Sequence, residues 1–341
     1  MPATGAPGVS FGGPLDIDGV IVDVLAGRRH RGSTPNGRVI YVCSIGGKGA
    51  GHGNGSKPDA PLATVGGTNG ALAKLANPTA RTFKGDTIVC LPGHVESVSS
   101  ADYFSDMATA SHFSIVGLGM GAARPTFNWT TATSTVLMDQ AGFEWVNCNL
   151  NLCGNTATGA LTVATPITVS AAGCRIADCE INWGQDTDTG CGSTLGAIAV
   201  VAGTRFRFEN NYCPNLDTAG TLAVSFLSLN GADDAIISGN TIYGGTTVNT
   251  VGAIHCVTTA SKRIQIVGNV IENLRATSTK AVTSAIASVT GTIANNLARV
   301  QSGIVAYTVS GTPFLCTFFN NYTSNTDTKN GALDVGAGTS V

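Results

Sequence analysis

The chain has 341 residues, a net charge of −2, 12% charged residues and 43% hydrophobic ones. Apolar and β-branched residues recur along its whole length, which excludes a disordered chain. The near-neutral balance argues against a dedicated nucleic-acid binder, since phosphate contacts need clustered Lys and Arg, and no apolar run reaches the roughly 18 residues of a membrane span.

In chain order, residues 1–38 form a Gly- and Pro-rich extended arm. It carries the apolar residues Val9, Phe11, Ile21, Val22, Val24 and Leu25 and a basic cluster, Arg28, Arg29 and Arg31. These are candidate docking residues. Such an arm pairs with an edge on a neighbouring subunit, or it folds under the first coil of its own chain. The N-terminus lacks the charged-then-apolar layout of a secretory signal, so folding in a cytosol is expected.

Residues 39–84 read as a strand, a glycine-rich loop and a cap. The apolar run "RVIYV" leads into "GGKGAGHGNG" (46–55). A phosphate-binding loop would follow its lysine with Ser or Thr and open a helix. Here Lys48 is followed by Gly49, and Pro58 and Pro61 interrupt any helix. The stretch is a linker. Ala71, Leu72, Leu75 and Ala76 stand at helical spacing and predict a short capping helix, which would cover an otherwise open sheet edge.

From residue 85 to 341 the chain repeats. "FEWVNCNL" (143–150), "CRIADCEI" (174–181), "FRFENNYC" (206–213), "IISGNTIY" (236–243), "IQIVGNVI" (264–271), "GTIANNLA" (291–298) and "CTFFNNYT" (316–323) share one plan. Each is an alternating apolar stretch, a polar anchor and a second short apolar stretch. The anchors are Asn147, Asp178, Asn210, Asn240, Asn269, Asn295 and Asn320, spaced 25–32 residues apart. Leu118 holds the corresponding place one period earlier. A further strand lies upstream of each anchor, and helical spacing is missing. A propeller blade needs a longer period of ~40–45 residues. The remaining reading is an all-β, single-domain parallel β-helix of about 8–9 coils. The anchors serve as a structural ladder, since Asn tolerates the left-handed backbone of a tight turn and stacked amides bond along the axis.

Ten cysteines are scattered with no CxxC pattern, which gives a zinc site little support. Free buried thiols are expected. Cys148 and Cys179 would stack on adjacent coils, as a thiol ladder or, under oxidation, a disulfide.

Four segments carry a resemblance: "YVCSIGGKGAGHGNGSKPDAPLATV" (41–65), "GDTIVCLPGHVESV" (85–98), "FSIVGLGMGAARPTFNW" (113–129) and "ITVSAAGCRIADCEI" (167–181). They resemble right-handed parallel β-helix, pectin-lyase-like virion proteins of tailed bacteriophages. The resemblance implies a right-handed coil and a virion setting after assembly in the host cytoplasm.

Proteins of this fold include polysaccharide hydrolases and lyases. The short motifs of pectin-degrading glycosidases have echoes at Asn325-Thr326-Asp327, Asp233-Asp234, Gly51-His52-Gly53 and Lys262–Gln265, but in the wrong order. Asp234 and Asp327 would lie about three coils, roughly 14 Å, apart, beyond the ~5–9.5 Å of a glycosidase pair. A lyase would need a calcium-binding carboxylate cluster and a base. The best candidates are Asp178, Glu180, Asp186 and Asp188 with Arg205 or Arg207. His94 and Glu96 share a strand face, with a turn histidine and an exposed partner as the plainer reading. Phe143, Trp145, Phe206, Phe208, Phe318 and Phe319 are expected in the core.

The expected function is therefore non-enzymatic and needs no cofactor: a capsid decoration protein, homotrimeric, contacting the major capsid protein or another virion protein, with no nucleic acid and no membrane as partner. The alternative is a tail-associated protein that binds or depolymerises polysaccharide. Exposed aromatics, or carboxylates facing one groove, would favour the alternative. An apolar end surface and an ordered arm would favour decoration.

Overall fold

The computed structural model describes residues 39–45, 54–67, 70–75, 83–104, 110–153, 163–186, 189–190, 196–215, 225–244, 252–273, 280–300, 306–309 and 315–324. Within them the chain winds into a parallel β-solenoid with three long sheets of ten, nine and seven strands. The ten-strand sheet begins with Val39–Val42, Thr87–Cys90, Ser114–Gly117, Glu144–Val146, Arg175–Ala177 and Arg207–Glu209. It continues through Ile236–Ser238, Ile264–Val267, Thr290–Ala294 and Leu315–Phe319. Within each of the three sheets every pairing is parallel; the Gly184–Asp186 and Thr189–Gly190 pair, outside them, is antiparallel. Between the first and last strands of the seven-strand sheet the chain makes about 6 turns, fewer than the eight to nine expected. The difference arises at both ends of the solenoid: Thr87–Cys90 and Val95–Val98 come before the first strand of that sheet, Val136–Met138, and Leu315–Phe319 and Tyr322–Ser324 follow its last, Tyr307–Val309.

Alternation decides what lies inside. Ile115, Trp145, Ile176, Phe208, Ile237, Ile266 and Ile293 fall in one register column of the ten-strand sheet and are buried. Their sequence neighbours on either side point away from that core. Large aromatics fill the wide early turns: Phe127 meets Trp145 edge-on with centroids 5.0 Å apart, and Phe113 stacks on Phe143 at 4.5 Å. Burying one such ring is worth roughly 1.5–3 kcal/mol relative to exposure. Phe319, expected in the core, is instead 45% exposed, because it stands one residue past the inward-facing Phe318. A short helix stands where one was expected, Ala71–Leu75, with Ala71 and Leu72 buried in the main core.

At the corner after each strand of the ten-strand sheet, the structure divides the anchor residues between two adjacent columns. Asn147, Asp178, Asn210, Asn295 and Asn320 adopt positive φ, and on the intervening turns that position is taken by Gly239 and Gly268. The next residue points inward and forms the hydrogen-bonded ladder. From Asn211 to Asn321 each inward asparagine accepts, at its side-chain oxygen, the backbone N–H of the ladder residue one turn earlier. This holds at Asn240, Asn269, Asn296 and Asn321, over 2.9–3.1 Å. Each of Asn211, Asn240, Asn269 and Asn296 also donates its side-chain nitrogen to the next amide oxygen. Asn240 and Asn269 therefore belong to the ladder, whereas Asn147, Asp178, Asn210, Asn295 and Asn320 are turn residues. The sequence alignment slipped by one place at two turns, because Gly-Asn and Asn-Asn dipeptides do the same two jobs. Cys148 and Cys179 occupy the ladder column on earlier turns, with Cys148 N–H directed at Cys179 Sγ over 3.5 Å, and both are free thiols. Leu118, expected one period before Asn147, packs instead against Tyr41 and Val89 in a small cluster separate from the main core, and the residue next to Asn147 is Gly117, whose carbonyl accepts the Asn147 side-chain nitrogen at 2.8 Å.

Candidate functional site

On three consecutive turns the outward position beside the buried column is charged: Glu144, Arg175 and Arg207 stand in register. Two residues earlier on each turn is a corner residue with positive φ. That column reads His112, Gly142, Gly173, Arg205, Asp234 and Arg263. Together with Glu209, Ile236 and Gln265 these residues line a groove of about 1050 Å3 on the outer face of the ten-strand sheet. It runs from the turn of His112 to that of Gln265, a length of about 24 Å at the usual strand spacing.

Arg175 and Arg207 are like charges directly opposite each other, which by itself is destabilising. Glu209 compensates. Arg175 Nε donates to its carboxylate at 2.8 Å, and Arg207 stands 3.6 Å away. Asp234 receives two bonds from Arg263, at 2.6 and 2.8 Å. Those bonds, with added charge from Arg263 and Arg205, hold its carboxyl below the usual range. Glu144 is buried at the floor. Gly142 and Gly173 leave the rim without side chains for two turns, and a Cβ at Gly173 would meet nothing closer than 3.9 Å. The groove is thus open beside its arginines.

His94 and Glu96 form a different structure from the one expected. Glu96 is only 3% exposed. It accepts the N–H groups of Val65 and Gly66 at 2.7 and 2.8 Å, and His94 Nε2 lies 3.0 Å from it. The Tyr103 hydroxyl also bonds to it, and burial together with this carboxylate raises the Tyr103 pKa. His94 Nδ1 accepts the Ser44 N–H at 3.0 Å. Every polar atom of the pair is engaged within the protein, so the pair fastens the 54–66 segment to the first turn. The corrected point is the exposed partner, which the fold instead seals beneath the cap.

The other candidates are dispersed. Glu180 lies on the outer face of the nine-strand sheet, 3.9 Å from Arg124, and Asp178 is at a corner where it accepts from Asn210 at 3.3 Å. Neither joins Arg205 or Arg207 in the groove. Asp188, His52, Asp327 and the arm residues Val9, Phe11, Ile21, Val22, Val24, Leu25, Arg28, Arg29 and Arg31 lie outside the described residues. Asp234 and Arg263, each from a discounted motif echo, are brought together as an ion pair. Among the described residues no group of three His, Cys, Asp or Glu is arranged to hold a metal ion. Tyr212 and Tyr322 project from the nine-strand sheet with 46% and 58% exposure, the former edge-on to Tyr243 at 5.8 Å.

Neither a family model nor a curated relative matches the chain. Among solved structures, a GH136 lacto-N-biosidase from Eubacterium ramulus is similar over 83% of this chain and 67% of its own, at 10% identity and a TM-score of 0.34. That similarity is too low to carry a functional argument.

The groove was missed in the sequence although its signal was present. Glu144, Arg175 and Arg207 each stand three residues before an anchor, so they recur at one place in the repeat. A charge repeated at a fixed position of a solenoid period marks a stripe on one outer face.

Proposed function

We propose that the chain is a tail-associated β-helix protein that binds a polysaccharide along the outer face of its ten-strand sheet. One observation carries this reading: an open groove, about 24 Å long by strand spacing, lined by charged side chains on successive turns. Its length and open side fit an extended polar polymer rather than an enclosed small molecule. The chain's −2 charge disfavours nucleic acid as that polymer. The exposed Tyr212 meets the exposed-aromatic criterion for the polysaccharide alternative, although it lies on the nine-strand sheet and not in the groove. Binding is favoured over cleavage, because Glu209 and Asp234 are each held by an arginine rather than poised for proton transfer.

The finer fold reading proposed with it is a right-handed coil, the hand that crossover connections between parallel strands overwhelmingly take. The division into an arm (1–38), a cap region (39–84) and a helix (85–341), and assembly in the host cytoplasm into a virion, belong to the same proposal. A second reading, a homotrimeric capsid decoration protein seated on the major capsid protein, draws support from Phe319 and Tyr322, exposed together on the last described turns. The two are separated by electron cryomicroscopy of the particle carrying the chain, paired with glycan-array binding of the purified protein. Tail density with glycan binding is the expected result. Density on the capsid lattice without glycan binding would replace the first reading by the second.

A further inference from the structure

The groove contains four arginines, Arg175, Arg205, Arg207 and Arg263, and three carboxylates, Glu144, Glu209 and Asp234. Their positions show where the excess charge lies. Arg263 is consumed by its two bonds to Asp234. Arg175 has the short bond to Glu209. Arg207 has only the longer 3.6 Å approach to the same carboxylate. Arg205 makes no ion pair within 4 Å among the described residues, although its corner neighbour one turn on is Asp234, already occupied by Arg263. Arg205 and Arg207 are two residues apart at one edge of the groove, and the side toward Gly173 is open.

Resting on the polysaccharide reading above, we infer that Arg205 and Arg207 form a subsite for an oxyanion carried by the bound sugar. A guanidinium is always charged and presents a planar fork that matches a carboxylate or sulfate oxygen pair. Arg175 and Glu209 hold the Arg207 side of the subsite in place. A neutral sugar would leave Arg205 without an ion partner among the described residues and Arg207 with only the 3.6 Å approach of Glu209, so the preference is for an acidic polymer.

The test is a binding titration of the full chain against three polymers: a polyuronate, a sulfated glycan and an uncharged glucan. Wild type is compared with Arg205→Gln, Arg207→Gln and Lys57→Gln, the last removing an equal charge from the exposed cap segment. Circular dichroism and melting temperature check that each variant is folded. The expected result is binding of one or both acidic polymers, weakened by salt. Each groove variant should lose about tenfold or more in affinity, the usual scale for a charged hydrogen bond. Which acidic polymer binds identifies the oxyanion as carboxylate or sulfate. Equal binding of the uncharged glucan, with Arg205→Gln unchanged, overturns the subsite and leaves the polysaccharide reading standing. Equal loss in Lys57→Gln also overturns the subsite. Failure to bind any of these polymers, or any glycan on a broad array, overturns both.

Discussion

Adjacent residues in this chain have separate tasks, and substitutions distinguish them. Asn210 turns the corner at a φ of 55° and is exposed, whereas Asn211 is 2% exposed. Asn211 accepts the Cys179 N–H and donates to the Ile176 carbonyl and to Asn240. Asn210→Gly should change stability by about 1 kcal/mol or less, since glycine adopts positive φ without a Cβ penalty. Asn211→Ala should cost about 3 kcal/mol or more, because it leaves several buried polar groups unpaired. Denaturant unfolding of the two variants checks this, and equal costs would contradict the two-column assignment. His255 gives a second residue-scale expectation. It faces outward between Ser228 and Thr283, is 6% exposed, and neither ring nitrogen has a hydrogen-bond partner. Burial, then the charge of Lys280, lowers its pKa below 6.5. The unfolded chain therefore takes up the proton at a higher pH than the folded one. Stability conferred by the neutral ring is present above pH 6.5 and is lost as pH falls toward the folded-state value. Wild type should lose more stability than His255→Gln between pH 7 and pH 5; parallel profiles would refute the effect.

At the scale of elements, the cap depends on one carboxylate. Glu96 satisfies two backbone N–H groups of the segment that leads into the helix Ala71–Leu75, along with His94 and Tyr103. Glu96→Ala should cost about 3 kcal/mol or more, by stranding buried donors, and should accelerate amide exchange in residues 54–66 ahead of the later turns. Uniform acceleration along the chain would instead mean that the cap has no separate stability. The helix was legible in the sequence because apolar residues at helical spacing, Ala71 and Leu72 among them, report burial directly. The role of Glu96 was not. Its partners Val65 and Gly66 are 31 and 30 residues away, Ser44 is 50 residues from the intervening His94, and all three donate from the backbone, which has no residue-type signature.

For the whole molecule, the repeat was legible because stacking turns in register impose one plan on every period. Ile176, Ile237 and Ile266 announce the inner column by alternation alone. The exact register was not, since Gly239-Asn240 and Asn210-Asn211 look different and act alike. The number of turns was overcounted because a period in sequence does not require a strand in all three sheets. The groove lay hidden for the opposite reason. Its charged residues follow the repeat, but they belong to the outer surface, where packing places no demand and only comparison between turns reveals a pattern.

The inner asparagines all point the same way. Each amide oxygen is directed toward the earlier turn, and from Asn211 to Asn296 each side-chain nitrogen reaches the next amide oxygen. Side-chain dipoles aligned head to tail polarise one another. The row therefore has a sense as well as a length: an accepting end, spent on Cys179, and a donating end beyond Asn296. A turn inserted in the same orientation would extend the row, while one placed upside down would set oxygen against oxygen. The rod's polarity is thus written in its interior, independently of anything on its surface.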